Sequence, residues 1–481
     1  MAFKDLRDYI SALEQHGQLK RVDREVDWNI EAGAISRLVY EKGLPSPLFE
    51  NVTGYPGYRL FGAPISTFSK LAIALGLDPE TSIKELINFY LEKKKDLVKP
   101  VFVDKSQAPC KENIDIGDQV DLMKFPSPML HEGDGGRYLC TWHINVSKDP
   151  DTGWINWGCY RAMVSGKNTL TGPVSPAKHM GSQYQKYKAK NIPMPFAIAI
   201  GPEPVSGFIA GARVAANLYE AELVGALRQE PIELVKCETV DLEVPAGSEI
   251  VIEGEISLTE KDWEGPFGEF VGYSATGRNK APVWNVKAIT YRNNPIITMS
   301  NTGVPVDEYH LDVGLVRSAE LYNRLRADGI PVVAVNAPPE GVGFLVIVSV
   351  SGNTPNIAEK VTSSIWSSPQ GSNAPFVFVV NDDVDVFNIW EVMHAMVTKC
   401  HPYRDIWRVE RASAIPFMTF LNAYERQHRL GAKVYFDCTW PTDWDPVSEI
   451  PPKISFDANY SHEVKEHVLK NWENYGFIRL A

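Results

Sequence analysis

The sequence predicts a mixed α/β fold of the α+β class, with a strand-rich middle between two regions that mix helices and strands. Three observations predict it. Apolar residues near the start recur at helical spacing. Between about 138 and 305 they switch to two-residue alternation. Beyond 329, short apolar strands alternate with amphipathic helices. At 481 residues the chain exceeds what one core organises. The expected division is an N-terminal α/β region over 1–110, a central β domain over 111–305, a linker helix over 306–328, and a C-terminal α/β domain with a tail over 329–481.

Residues 3–19 predict a helix with Leu6, Tyr9, Ile10 and Leu13 on one face. Residues 81–95 predict another, opened by Thr81 or Ser82, with Glu85 placed for a capping box behind Ser82. In the middle, Leu139–Val146 and Trp157–Val164 read as strands joined by a polar turn at Asp149–Gly153. Ile250–Leu258 places Ile250, Ile252, Ile256 and Leu258 on one face. Val283–Tyr291 and Ile296–Met299 flank Asn293-Asn294, the signature of a hairpin turn. Together these predict an antiparallel sheet or barrel, interrupted by helices near 179–189 and 218–228. Residues 307–327 predict a bridging helix. Strands at 332–335, 344–350 and 376–380, with helices at 355–367 and 388–399, make the last domain. A Pro- and acid-rich tail then turns helical at 461–474.

Composition narrows the function. With 44% hydrophobic and 22% charged residues the chain is a folded globular protein. A net charge of −12 argues against a broad nucleic-acid surface, but leaves room for a small anion in a local basic pocket. The start, Met1-Ala2-Phe3-Lys4-Asp5, lacks the apolar run of a signal peptide, and no apolar stretch is long enough to cross a bilayer. The six cysteines are scattered without a C-x-x-C pair, which predicts reduced thiols packed as small hydrophobes in a cytoplasmic protein.

The strongest chemical pattern is Glu264-Gly265-Pro266-Phe267-Gly268-Glu269. Gly265 and Gly268 admit backbone angles closed to other residues, and Pro266 fixes its own. Such a turn can aim both acids at one point, where like charges favour retention of a proton. The alternative is a surface turn with two solvated acids. Arg161 sits within apolar Trp157-Gly158-Cys159-Tyr160-Arg161 and needs an anionic partner if buried; at a strand edge it would face water. Asn156, His179 and Glu220 have no motif spacing, but their chemistry suits a Mn²⁺- or Mg²⁺-like ion that shares its shell with a phosphate. Asn381-Asp382-Asp383-Val384-Asp385 reads as helix capping ahead of a Mg²⁺ site. Gly133-Asp134-Gly135-Gly136 is Gly-rich, but is neither G-x-G-x-x-G nor a P-loop.

Over nearly its whole length the chain resembles the UbiD-like decarboxylases, which include ferulic acid decarboxylase and 3-octaprenyl-4-hydroxybenzoate decarboxylase. The resemblance rests on Trp154-Ile155-Asn156-Trp157 through Arg161, Pro176-Ala177-Lys178-His179, Glu220 ahead of Leu223–Leu227, Val235–Thr239, the Glu264–Glu269 turn, and Tyr291–Pro295. It implies prenylated FMN in a split β-barrel, contacted by Asn156, Trp157, Gly158, Cys159, Tyr160, Arg161, Lys178, His179 and Glu220. It implies that Asn156, His179 and Glu220 hold Mn²⁺ or Mg²⁺ at the flavin phosphate, with K⁺ alongside. Arg161, Glu264 and Glu269 become a catalytic Glu-Arg-Glu set, with Glu269 the proton donor. The last domain becomes the site of homodimer or homohexamer assembly, and a flavin prenyltransferase becomes the cofactor's supplier.

The implied activity is reversible non-oxidative decarboxylation of an aromatic, heteroaromatic or α,β-unsaturated acid, with CO₂ as co-product. His310, Leu311, Ile415 and Phe417 are the expected substrate-pocket positions; His310 would bond the substrate or cap the linker helix. Two departures from the ferulic-type pattern stand out. Ala210–Asn217 lacks that branch's prolines, and Lys178 stands where that branch carries Gln. Glu269, rather than Asp, places the chain nearer the ferulic-type branch. The competing readings are a glycosidase using the Glu264/Glu269 pair and a flavin-binding assembly protein without catalysis.

Overall fold

A computed structural model describes residues 3–274 and 277–478. The opening helix, Leu6–Gln15, buries Leu6, Tyr9, Ile10 and Leu13, as its spacing predicts. Asp5 caps it by accepting the Arg7 and Asp8 backbone N–H groups. Helix Ile83–Lys93 carries both arms of the Ser82/Glu85 capping box.

The central domain is one nine-stranded antiparallel sheet. From one end it runs Tyr138–Cys140, Ala162–Val164, Thr169–Thr171, Asn279–Tyr291, Ile250–Glu264, Met194–Ile200, His143–Lys148 and Ile155–Gly158, with Asn113–Ile116 also paired to Asn279–Tyr291. Connectivity forces this sheet to curl. Gly158 ends the last strand and Ala162 opens the second, so only residues 159–161 link them. A flat sheet would separate those strands by about 29 Å, whereas the connection spans at most about 14 Å. The two ends must therefore approach one another, giving a split barrel whose seam contains Arg161. The sequence predicts continuous strands over 139–146 and 157–164; both are broken in the structure, at 141–142 and 159–161, because the chain crosses the seam there. The strand opening at Ile250 reaches Glu264 by way of a bulge at Gly254, where a Cβ would lie 2.0 Å from the Asn285 carbonyl oxygen.

The predicted hairpin at Asn293-Asn294 does not form. Ile296–Met299 leaves the barrel and pairs in parallel with Arg59–Gly62, in a second sheet that also contains Leu19–Val22 and Ser46–Phe49. All four of its residues are buried, a demand met between layers and not at a barrel edge. Arg7 and Arg59 hold the connection by donating to the Asn293 and Asn294 carbonyls.

The bridging helix forms as Glu308–Asp312 and Ser318–Ala327, joined by a π-helical turn over Val313–Arg317. It leads to a five-stranded sheet ordered Val332–Asn336, Leu345–Val350, Phe376–Asn381, Leu430–Cys438, Ile406–Ser413. Val346, Val348 and Val350 face one core and Ile347 another, so helices cover both sides. The acid run at 382–385 does not cap the following helix. Asn388 does, accepting the Trp390 N–H. Asp383 pairs with Lys399 instead.

Candidate active site

Barrel closure brings Arg161, Glu264 and Glu269 together. The Arg161 guanidinium forks onto Glu264, Nε to Oε1 at 2.8 Å and Nη2 to Oε2 at 3.1 Å, and Nη1 donates to Glu269 Oε1 at 2.5 Å. The Tyr138 hydroxyl donates to Glu264 Oε1 at 2.8 Å, and Phe267 lies under the guanidinium at 5.1 Å. All three charged side chains are largely buried: 17% of Arg161, 4% of Glu264 and 8% of Glu269 remain exposed. The turn is therefore no solvated surface loop, and the acids do not rely on mutual repulsion, because a cation stands between them. Burial opposes the Arg161 charge, but the Glu264 hydrogen bonds and the two carboxylate charges outweigh it and raise its pKa. Burial, then the Glu264 charge, pushes the Tyr138 phenol up.

The turn is fastened from three sides. Gly135 N–H donates to the Pro266 carbonyl at 2.7 Å, Gly268 N–H to Asp134 Oδ1 at 3.0 Å, and the Thr302 hydroxyl to the Gly268 carbonyl at 2.7 Å. The Gly133–Gly136 loop is thus a clamp on the acid turn. A Cβ on Gly135 would meet the Gly265 carbonyl oxygen at 2.0 Å. Gly135→Ala should therefore displace the turn, costing about 1–3 kcal/mol in thermal or denaturant unfolding and lowering turnover in parallel.

A second convergence surrounds Asn156. This fully buried side chain lies in strand Ile155–Gly158, and its Oδ1 is 3.2 Å from His179 Nδ1. Its neighbour Trp157 donates its backbone N–H to Glu220 Oε2 at 2.9 Å. His179 and Glu220 each open a helix, His179–Lys190 and Glu220–Arg228. Burial pushes the Glu220 carboxyl up to about 8, partly offset by backbone N–H groups. Burial, then the charges of Lys178 and Arg213, lowers His179. A buried carboxylate held only by N–H donors, next to an amide oxygen and an imidazole, suits a divalent cation. Among the described residues no three His, Cys, Asp or Glu side chains cluster at metal distance, so this set depends on its Asn. Lys178, next to His179, is exposed to water.

The strand residues between these two groups are held in place. Asn145 Oδ1 accepts the Tyr160 N–H at 2.7 Å, and His143 Nε2 lies 3.1 Å from the Tyr160 carbonyl. Cys159 packs against His143, its Sγ 3.7 Å from Nδ1, and burial pushes its thiol up to about 11.

The expected pocket positions divide. The His310 ring is committed on both sides: Nε2 lies 2.7 Å from the Phe270 carbonyl, and Nδ1 accepts the Asp307 N–H at 3.0 Å. It caps the linker helix and ties it to the segment after Glu269. Leu311 is 1% exposed and packs into the core. Phe417 instead packs against Phe270, 5.7 Å between ring centres with the planes tilted by 58°, and Phe270 also meets Tyr309 and Phe344. Ile415 is partly buried and, like Phe344, packs against the cluster of Ala414, Met418 and Leu421. Sequence reasoning missed Tyr138, His131 and Thr302, and singled out Asp134 only as part of a Gly-rich loop; all four reach the turn through the fold.

The fold thus sets a buried acid–arginine–acid cluster in a split barrel carried between an N-terminal sheet and a C-terminal α/β domain. Models of the 3-octaprenyl-4-hydroxybenzoate carboxy-lyase match the N-terminal domain over 10–90, the Rift-related domain over 101–305 and the C-terminal domain over 310–438. The chain is 33% identical to the pyrrole-2-carboxylic acid decarboxylase of Pseudomonas aeruginosa, over 98% of each chain. It is also 33% identical to ferulic acid decarboxylase 1 of Saccharomyces cerevisiae, again over 98% of each. Among solved structures, the vanillic acid decarboxylase of Sedimentibacter hydroxybenzoicus in closed form matches with a TM-score of 0.89 at 32% identity, covering 98% of this chain and 99% of that one. The evolved dimeric form of the UbiD-class enzyme HmfF from Pelotomaculum thermopropionicum, in complex with prFMN, matches at 0.81 and 30%, covering 93% and 97%. The chain belongs to the UbiD family of carboxy-lyases.

Proposed function

We propose that the chain is a reversible, non-oxidative decarboxylase of an aromatic, heteroaromatic or α,β-unsaturated carboxylic acid that uses prenylated FMN. The observation that carries this reading is Arg161 bridging two buried carboxylates at the barrel seam, in a chain whose relatives are decarboxylases. Losing CO₂ from an sp² carbon leaves an in-plane electron pair that no side chain can absorb; the modified flavin supplies that sink. The protein's part is placement and proton delivery. Glu269 protonates the carbon that loses CO₂, Arg161 positions it, and Glu264 with Tyr138 holds Arg161. Asn156, His179 and Glu220 would hold Mn²⁺ or Mg²⁺ at the flavin phosphate, with K⁺ alongside and Lys178 in reach of the same anion. Residues 157–160 would line the flavin, and Phe417 with Ile415 would form one wall of the substrate site. A hydrolytic use of the Glu pair needs a free gap between the acids, which Arg161 fills.

The C-terminal helix Ile389–Lys399 exposes Ile389, Trp390, Met393 and Val397, an apolar stripe that favours assembly into a homodimer or homohexamer in the cytoplasm. A flavin prenyltransferase would supply the cofactor. The test is to purify the chain from cells that also express such an enzyme, then record its absorption and the mass of the released flavin. Retention of a prenylated flavin, lost or weakened in Glu220→Ala and His179→Ala, is the expected outcome. Failure of the wild-type chain to hold any modified flavin, even when it is added, contradicts the reading.

A further inference from the structure

Replacing CO₂ by hydrogen on a carboxylate substrate takes up one proton per turnover. An acid at Glu269 must therefore be recharged from water each time, although only 8% of its side chain is exposed. A second titratable pair lies against the same turn. His131 Nδ1 is 3.1 Å from Asp134 Oδ2, which also accepts the His131 backbone N–H. A carboxylate at that distance fixes the ring proton on Nδ1. The other nitrogen, Nε2, is then the basic one, buried and without a hydrogen-bond partner among the described residues.

The ring lies on Gly268, the residue before Glu269. A Cβ built there would meet the ring edge, His131 Cε1 at 2.4 Å, Nδ1 at 2.6 Å and Nε2 at 3.0 Å. Yet 24% of the side chain remains exposed, so one imidazole touches both solvent and the acid turn. Fastening does not account for it. Asp134 Oδ1 holds the Gly268 N–H without the ring, and an unpaired buried nitrogen is a cost that packing alone does not require.

We infer that His131, with Asp134 behind it, relays protons from solvent to Glu269. In the imidazolium, Nε2 releases its proton toward the Glu269 carboxylate, directly or along water, and the neutral ring keeps Nδ1–H on Asp134. Solvent at the exposed part of the side chain then returns a proton to Nε2 as the ring moves. One proton enters and one leaves, with no redox change. The relay rests on Glu269 being the donor, and His131 acts through Glu269 without touching substrate.

The test uses the flavin-loaded enzyme and His131→Asn, which keeps an N–H donor for Asp134 but carries no exchangeable ring proton. CO₂ release is followed at fixed pH and ionic strength, in dilute buffer and with imidazole added. kcat should fall by about 10²-fold, the lower end of what a positioned proton donor contributes, with KM and flavin content unchanged. Added imidazole should restore it saturably. An unchanged kcat, or a loss that imidazole does not restore, overturns the relay. If His131→Asn does not hold flavin, His131→Gln is read by the same criteria. Glu269→Gln separates the two ideas: an inactive Glu269→Gln beside a fully active His131→Asn removes only the relay, whereas an active Glu269→Gln removes the donor itself.

Discussion

Glu269→Gln should lower kcat for CO₂ release by about 10²–10⁴-fold, the range a positioned general acid contributes, while flavin content stays at the wild-type level. The substitution keeps the size of the side chain and an oxygen for the Arg161 Nη1 donor. It removes the exchangeable carboxyl proton and, with it, one of the two carboxylate charges that face Arg161. The pairing of outcomes matters. Arg161 still binds Glu264 through two hydrogen bonds, so the cluster's geometry survives. Single-turnover decarboxylation and flavin quantitation on the same preparation check it. Activity within a few-fold of wild type would remove Glu269 from the proton-delivering role.

The second large effect belongs to Arg161. Arg161→Ala leaves Glu264 and Glu269 buried without their cation, and unpaired buried charges of this kind cost about 3–5 kcal/mol. Lower unfolding midpoints and loss of turnover should appear together. Arg161→Lys is the sharper probe. A single ammonium cannot reproduce the fork onto Glu264 and also reach Glu269. Charge is retained, so the fold should hold while kcat falls by about 10²-fold or more. The checks are an unfolding curve and initial rates on one protein batch. A fully active Arg161→Lys would mean that the site needs charge but not the fork.

The faces of Leu6–Gln15 and the capping box of Ile83–Lys93 are local, set by residues within one turn of each other, and they form as their spacing predicts. Breaks at 141–142 and 159–161 are not local. They arise because a nine-stranded sheet closes on itself, and no residue pattern within either strand announces that closure. Asn293-Asn294 has the composition of a hairpin turn, but the next strand is buried on both sides and goes to another sheet. The Glu264–Glu269 turn was visible as a pair of acids in a rigid frame. That a cation fills the space between them depends on the seam, which lies about a hundred positions earlier in the chain. Tyr138 and the His131–Asp134 pair were hidden for the same reason, since only the fold lays them against the turn. His310 reads from the sequence as either a substrate contact or a cap on the linker helix; in the structure both of its nitrogens serve the backbone, and it is the cap.

The central claim is that this chain places a proton on the carbon that loses CO₂, with Glu269 as the donor. The most direct measurement runs the flavin-loaded enzyme in D₂O on a panel of aromatic, heteroaromatic and acrylic acids, and follows CO₂ and the position of deuterium in each product. At least one acid should release CO₂ and gain one deuterium at the vacated carbon, and Glu269→Gln should suppress both. Release of no CO₂ from any acid by enzyme carrying its modified flavin, or equal deuterium incorporation by Glu269→Gln, would contradict the account.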